Sequence, residues 1–423
     1  MGSDFLTFGL SAELFRKTVQ PGDMATSCYI GLEHINQGSL SLNGHGISSD
    51  VSSAKSAFSR GDILFGKLRP YFRKVILAPF DGLCSTDIWV VRSKKGVDQK
   101  FLFYWMASQE FVNFSMQGAE GTRMPRAKWE HVSRHAIPYI DISEQRAIAH
   151  ILGSLDDKIE LNRKTNETLE AMAQAIFKSW FVDFDPVIDN ALAAGNPIPD
   201  ELQDRAAVRE ALGGERKPLP EDIRKLFPSE FELTEEMGWV PKRWEVLKIG
   251  NLLELAYGKS LAARVREPGP YPVYGSGGVG GFHKKAIVNG PGIIVGRKGT
   301  VGSVYWEWSD FFPIDTVFFV KLKNELPLYW VYQNLMQMDI ASLGADSAVP
   351  GVNRNSIYDK KWVVPSKEIL TFYWSQVETF SAKMLDLSEQ NMVLGNIRDT
   401  LLPKLISGEI RIPDAEKLSE SAA

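Results

Sequence analysis

The sequence predicts a mixed α+β (α/β) fold in which two duplicated domains are separated by two long helices forming an antiparallel coiled coil. Three observations predict it. A heptad seam occurs twice. Ile148, Leu152, Leu155, Ile159, Asn162, Asn166, Leu169, Ala173 and Ile176 step in alternating fours and threes. Tyr373, Val377, Phe380, Met384, Leu387, Asn391, Leu394, Arg398 and Leu401 repeat those steps at a constant shift of 225, the spacing a coiled-coil seam requires. Matching strand-and-turn segments precede each seam. Finally, the two non-helical blocks are basic, at +4 over 1–140 and +5 over 241–365, while 141–240 carries −10 and 366–423 carries −3.

In block 1–140, "RGDILFGKLRPYFRKVIL" reads as a strand, a proline-marked break and a second strand. Its counterpart is "NGPGIIVGRKGTVGSVYW", which sets Gly66 on Gly296 and Lys67 on Arg297 at a shift of 230. "STDIWVV" and "PIDTVFFV" set Asp87 on Asp315 at 228, and "GTRMPRAKW" and "DSAVPGVNR" set Pro125 on Pro350 at 225. Shifts that drift this smoothly describe one duplicated domain with small loop changes.

A proline-containing strand, "HAIPYID" or "KWVVPSK", leads from each block to its helix. Ser143 and Glu144 mark a helix start, since serine caps free amides and an acid suits the positive end of the dipole. A helix from about 143 to 180 is roughly 57 Å long, so it needs a partner along its length, and the helix at about 367–406 supplies one. The resulting division is a first domain at 1–140, a helix at 141–186, an acidic linker at 187–237 with a short helix around 200–212, a second domain at 238–365, a helix at 366–412 and a tail at 413–423.

A chain of 423 residues with 44% apolar content supports two or three cores. It has neither an apolar run of the ~18 residues that span a bilayer nor a basic-then-apolar leader. With only Cys28 and Cys84 there is no disulfide framework. These features predict a soluble cytoplasmic protein.

Catalytic constellations do not emerge. Gly258, Lys259 and Ser260 end like a phosphate-binding loop, but Leu253 stands where that loop needs glycine. His131 and His135 are one helical turn apart without a cysteine or glutamate ligand beside them, so no metal site is predicted. "YGSGGVGG" lacks the strand-then-helix context of a nucleotide site.

What recurs is a basic strand-turn. Alternation places Phe65, Lys67 and Arg69 on one face, with Tyr71 and Arg73 extending it past Pro70. In the second copy Arg297 and Lys298 lie between Gly296 and Gly299, with Thr300 after them and Lys284 upstream, so backbone and side chains can approach phosphates. A second candidate surface is the loop bearing Thr122, Arg123, Arg126 and Lys128, matched by Ser347, Arg354 and Asn355. Arginine and asparagine suit bidentate pairing with guanine and adenine edges.

"SEQRAIAHILGSLDDKIELNRKTNETLEAMAQAIFKSWFVDFDPV" at 143–187 resembles the central conserved region of the specificity subunit of type I restriction-modification enzymes. "GWVPKRWEVLKIGNLLEL" at 238–255 is similar to the opening of that family's second target-recognition domain, and "RDTLLPKLISGEIRI" at 398–412 resembles its conserved C-terminal end. The N-terminal segment lacks the Gly-Trp-Pro-Trp opening seen at 238–244. The second helix lacks the Glu144–Gln145 pair of the first.

The resemblance implies a non-catalytic DNA-binding subunit that reads a split, asymmetric site in double-stranded DNA. It also implies docking of two methyltransferase subunits on the helices and association with restriction (nuclease-translocase) subunits. S-adenosylmethionine, ATP and magnesium then belong to the partner subunits. The antiparallel course follows because a single chain must return to place both domains on one duplex, with Asn166 and Asn391 buried in the seam to fix register. Two alternatives stay open: a self-sufficient DNA-modifying or cleaving enzyme with an unrecognised active site, and a coiled-coil assembly scaffold without a DNA role.

Overall fold

The computed structural model describes residues 5–24, 28–121, 123–213, 219–344 and 351–422. The chain divides into two compact units, residues 1–164 with 387–423 and residues 165–386. Both long helices run through this division, and each unit is described by itself.

In the first unit the strands Ala12–Leu14, Ile88–Ser93, Ile63–Gly66 and Val75–Leu77 form an antiparallel sheet in that order. A five-stranded sheet lies beside it in sequence, with Cys28–Ile30 parallel to Gly82–Cys84. Helices Gln99–Ala107 and Gln109–Gln117 follow. Asp98 caps the first of them, accepting from the amides of Lys100 and Phe101 at 3.0 and 2.9 Å.

The second unit repeats this plan. Leu253–Tyr257, Val317–Leu322, Gly292–Gly296 and Val304–Glu307 form the four-stranded sheet in the same order. Its smaller sheet also holds one parallel pair, Tyr271–Gly275 with Phe312–Pro313. The ladders place Ile88 opposite Gly66 and Val317 opposite Gly296. Asp87 therefore matches Thr316, and the sequence pairing of Asp87 with Asp315 is one residue off.

Although the first unit lacks the Gly-Trp-Pro-Trp opening, it has the strand that follows it. Phe5–Thr7 pairs with Ala136–Pro138 as Glu245–Lys248 pairs with Lys361–Val364. The Gly-Trp-Pro segment instead forms a separate hairpin, Gly238–Pro241 against Phe231–Thr234.

The long helices span Ile142–Phe177 and Lys367–Ile406. The first is capped by Asp141, whose carboxylate accepts from the Ser143 amide at 2.7 Å and hydroxyl at 2.6 Å. Ser143 thus lies inside the helix instead of capping it. Gln145 is buried and ties the helix to the domain, accepting from the Asp98 amide at 2.9 Å and donating to the Ile140 carbonyl at 2.8 Å.

In the first unit Ile148, Leu152 and Leu155 are fully buried in one core with Leu394 and Leu401, and Ile159 packs against it. Asn162 donates to Asn391 at 3.0 Å and Asp156 pairs with Arg398 at 2.6 Å. Partner numbers fall as the first helix advances, so the pair is antiparallel. In the second unit Ala173 and Phe177 share a core with Tyr373 and Val377, with Ile176 and Phe380 packed against it. Asn166 donates to the Met384 carbonyl at 3.3 Å, and Leu169 is half-buried. Asn166 and Asn391, expected to be buried, are half-buried, and the buried seam asparagine is Asn162; Asn391 is met by Asn162, and Asn166 by backbone.

Beyond Phe177 the helix widens into a π-turn, Lys178–Val182, which lets Trp180 stack on Phe372 at 5.7 Å and sets Phe181 edge-on to Tyr373 at 5.0 Å. Among its described residues the segment expected as a linker holds helices Asp185–Ala194, Gln203–Leu212 and Glu221–Arg224, the second of them at the place expected for the short helix around 200–212. Two of the acids here are paired: Asp185 takes a forked bond from Arg205 at 2.7 and 2.6 Å, and Arg209 grips Asp189; Asp200, Glu201, Asp204 and Glu210 are exposed. Val187 and Ile188 are fully buried. Likewise the tail forms a helix, Ile412–Ala422, that buries Ala415 in the first core.

Candidate nucleic-acid interface

The strand Ile63–Gly66 is buried throughout, and Phe65 stacks on Trp89 at 5.7 Å within the core. The expected alternation therefore stops at Gly66, and Phe65 does not share a face with Lys67 and Arg69. Past Gly66 the chain turns outward. The Lys67 amide donates to the Asp87 carbonyl at 2.9 Å, and the Lys67 carbonyl accepts from the Ala127 amide at 2.9 Å. Leu68 bridges Arg126, and the Arg69 amide donates to the Pro125 carbonyl at 2.7 Å.

Two surfaces read separately in the sequence are thus one surface. The second unit builds the same junction: the Arg297 carbonyl accepts from the Val352 amide at 3.1 Å, and Lys298 bridges Gly351.

On the first surface Tyr71, Arg123, Arg126 and Lys128 are exposed, while Lys67 and Arg69 are half-buried. Arg126 forks onto Asp87 at 3.0 and 3.3 Å, and Lys128 pairs with Glu120. Arg73 is committed elsewhere, to Asp399 of the second long helix at 2.6 and 2.7 Å. Thr122 and Ser347 lie outside the described residues.

On the second surface Lys298, Thr300 and Asn355 are exposed. Arg297 and Arg354 converge on Tyr257, with guanidinium carbons 4.8 and 5.1 Å from its ring centroid. Tyr257 is 47% exposed, a cationic and aromatic cluster suited to a phosphate or a base face. Sequence reading missed it, though its outward position at the end of the strand Leu253–Tyr257 is a legible signal.

Lys284 is not brought to this cluster. The hairpin turn near Ser276 touches it, since the Ser303 hydroxyl donates to the Ser276 carbonyl at 2.7 Å. Lys284 follows the other end of that hairpin, where Tyr271 pairs with His283, and is engaged by Glu267. That is roughly 17 Å away along the strand. His131 and His135 pack as aromatic groups, stacking on Phe114 at 4.4 and 4.3 Å.

The chain thus carries a mixed α+β module twice, with a basic turn-and-loop surface on each copy. A sequence profile for the type I restriction modification DNA specificity domain matches residues 29–171 and 241–391. The chain belongs to that family and is a non-catalytic, sequence-specific DNA-recognition subunit.

It is 28% identical to the specificity subunit of type I restriction enzyme HindI from Haemophilus influenzae, over 91% of this chain and 95% of that one. The MjaIX specificity subunit from Methanocaldococcus jannaschii is 22% identical, over 94% of this chain and 87% of that one. Among solved structures, a type I restriction-modification S subunit from M. genitalium aligns over 95% of both chains at 17% identity with a TM-score of 0.47.

Proposed function

We propose that each unit reads one half of a split, asymmetric DNA site through its joined surface, with domains near 1–140 and 238–365. The observation that carries this reading is the junction of turn and loop by matching backbone bonds in both units. Lys67, Arg69, Arg297 and Lys298 hold phosphates. Arg123, Arg126, Arg354 and Asn355 face base edges, and Tyr71 and Tyr257 offer aromatic faces. Two methyltransferase subunits dock on the long helices and restriction subunits join the complete complex, in the cytoplasm. S-adenosylmethionine, ATP and magnesium are used by those partners.

The test is to purify the full chain alone and with its methyltransferase, then map methylated adenines. The expected result is salt-dependent duplex binding by the chain alone, without modification or cutting, and one bipartite motif methylated by the complex. Methylation or cleavage by the chain alone would support a self-sufficient enzyme, and absence of duplex binding at any salt would support a scaffold.

A further inference from the structure

The DNA-facing turn of the first unit is bent by two residues in the left-handed region. Arg69 (φ 51) and Arg73 (φ 49) flank the short turn Pro70–Phe72. The Gly66 amide donates to the Lys74 carbonyl at 2.8 Å and the Gly296 amide to the Ser303 carbonyl at 2.7 Å, so Arg73 corresponds to Gly302. At the near end Arg69 corresponds to Gly299. Those glycines have φ 80 and φ 82. Glycine adopts this conformation readily and a residue with a Cβ resists it, so the first unit must hold by contact what the second unit gets from composition.

The contact is a chain of charges reaching into the helix pair. Arg73 forks onto Asp399 at 2.6 and 2.7 Å. Asp399 accepts from Arg398 Nε at 2.9 Å, Arg398 Nη1 donates to Asp156 at 2.6 Å, and Asp156 accepts from the Tyr104 hydroxyl at 2.6 Å. Arg398 is 4% exposed and occupies the seam position that Ala173 fills in the first helix. A buried ion pair holds a helix seam no better than apolar side chains of similar volume, so stability alone gives this arginine no reason to be there. Orienting Asp399 does.

We propose that Asp399, set by Arg398, is a positioning residue for DNA reading. It clamps Arg73 and so holds the Arg69–Arg73 turn in the shape that Gly299 and Gly302 give the second unit. Arg73 is then a tether of the turn and not a phosphate contact. The inference rests on the reading that this turn faces DNA.

The experiment uses the assembled methyltransferase complex and duplexes carrying its own methylated motif, with the bases of either half scrambled in turn. Asp399→Asn is expected to lower discrimination in one half about tenfold or more, as release of a strained residue does, and to leave the other half within about twofold. Arg73→Gly, alone or with Asp399→Asn, should stay within about threefold of the native complex, because glycine needs no clamp.

Asp399→Asn with both halves unchanged would overturn the proposal, as would a double variant no better than Asp399→Asn. So would Arg73→Gly weakening every duplex and reducing the salt slope by about one, the mark of a phosphate contact. Should Asp399→Asn fail to assemble, Arg73→Gly and its salt slope decide alone. Lys67→Ala with both the salt slope and the base preference unchanged would instead sink the DNA-facing reading itself.

Discussion

Lys67 sits where backbone bonds to Asp87 and Ala127 fix its main chain and leave its ammonium to solvent or phosphate. Its replacement by alanine should weaken binding to all duplexes alike and reduce the slope of log affinity against log salt by about one. Filter binding over a salt series measures this, and a changed base preference at constant slope would make Lys67 a readout residue. A second residue-scale prediction concerns His135, which is 7% exposed between Trp105 and Phe114. Burial pushes its pKa below the ordinary histidine value, partly opposed by Glu110 and reinforced by His131. The unfolded chain therefore takes up a proton near pH 6.5 that the folded one does not, and stability falls as pH drops through that range toward the lower folded value. His135→Gln should lose less stability than the native chain between pH 7.5 and pH 5.5, read as urea midpoints; equal losses would exonerate His135. The equivalence of Lys67 and Arg297 was legible because glycine beside a basic residue recurs in both copies. Arg73 was not, since its partner Asp399 is 326 residues away and nothing local distinguishes a tether from a phosphate contact.

At the scale of elements, the seam was the most legible feature, because a heptad states burial directly: Leu152, Leu155, Leu394 and Leu401 are all buried where the spacing puts them. Leu155→Ala should cost about 2–5 kcal/mol as a buried leucine truncation, measured by denaturant unfolding; a loss below about 1 kcal/mol would mean the seam collapses around the gap. In the 187–237 segment the helix around 200–212 was legible, but the helices Asp185–Ala194 and Glu221–Arg224 were not, because acids, prolines and glycines look solvated in one dimension. A signal was present: Asp185 and Asp189 are one helical turn apart, as are Arg205 and Arg209, and the pairs match across 20 residues. Burial pushes the Asp185 carboxyl up, but Arg205, Ser179 and Arg209 together outweigh it and hold the pKa below the usual range. That stabilisation is present above the unfolded value near 4 and is lost as pH falls through the folded value. Arg205→Met should therefore show its largest stability deficit at neutral pH and a smaller one near pH 4, where protonation relieves the unpaired acid. An equal deficit at both would assign Arg205 to packing alone.

For the whole molecule, each unit has its own hydrophobic core and its own joined turn-and-loop surface. Exchanging residues 1–140 for the matching domain of a relative should change one half of the methylated motif and leave the other intact, read by sequencing methylated adenines. Loss of both halves in an assembled hybrid would mean that the units read DNA jointly. The duplication was visible in the sequence; that residues 387–423 complete the first unit was not, because local periodicity says nothing about which core a distant helix enters. Leu394, Leu401, Leu402, Leu405 and Ala415 all enter the core built by Phe65, Trp89 and Trp105. That closure has a consequence for biosynthesis. The second unit is one continuous stretch, 165–386, and can fold as soon as it leaves the ribosome. The first unit, although translated earlier, stays open while the stretch between its two parts is made, roughly 11–44 s at ribosomal speed. Chains ending at residue 386 and released from the ribosome should hold a protease-resistant second unit beside a first unit that is still cleaved, so the recognition unit made first is the last to become competent.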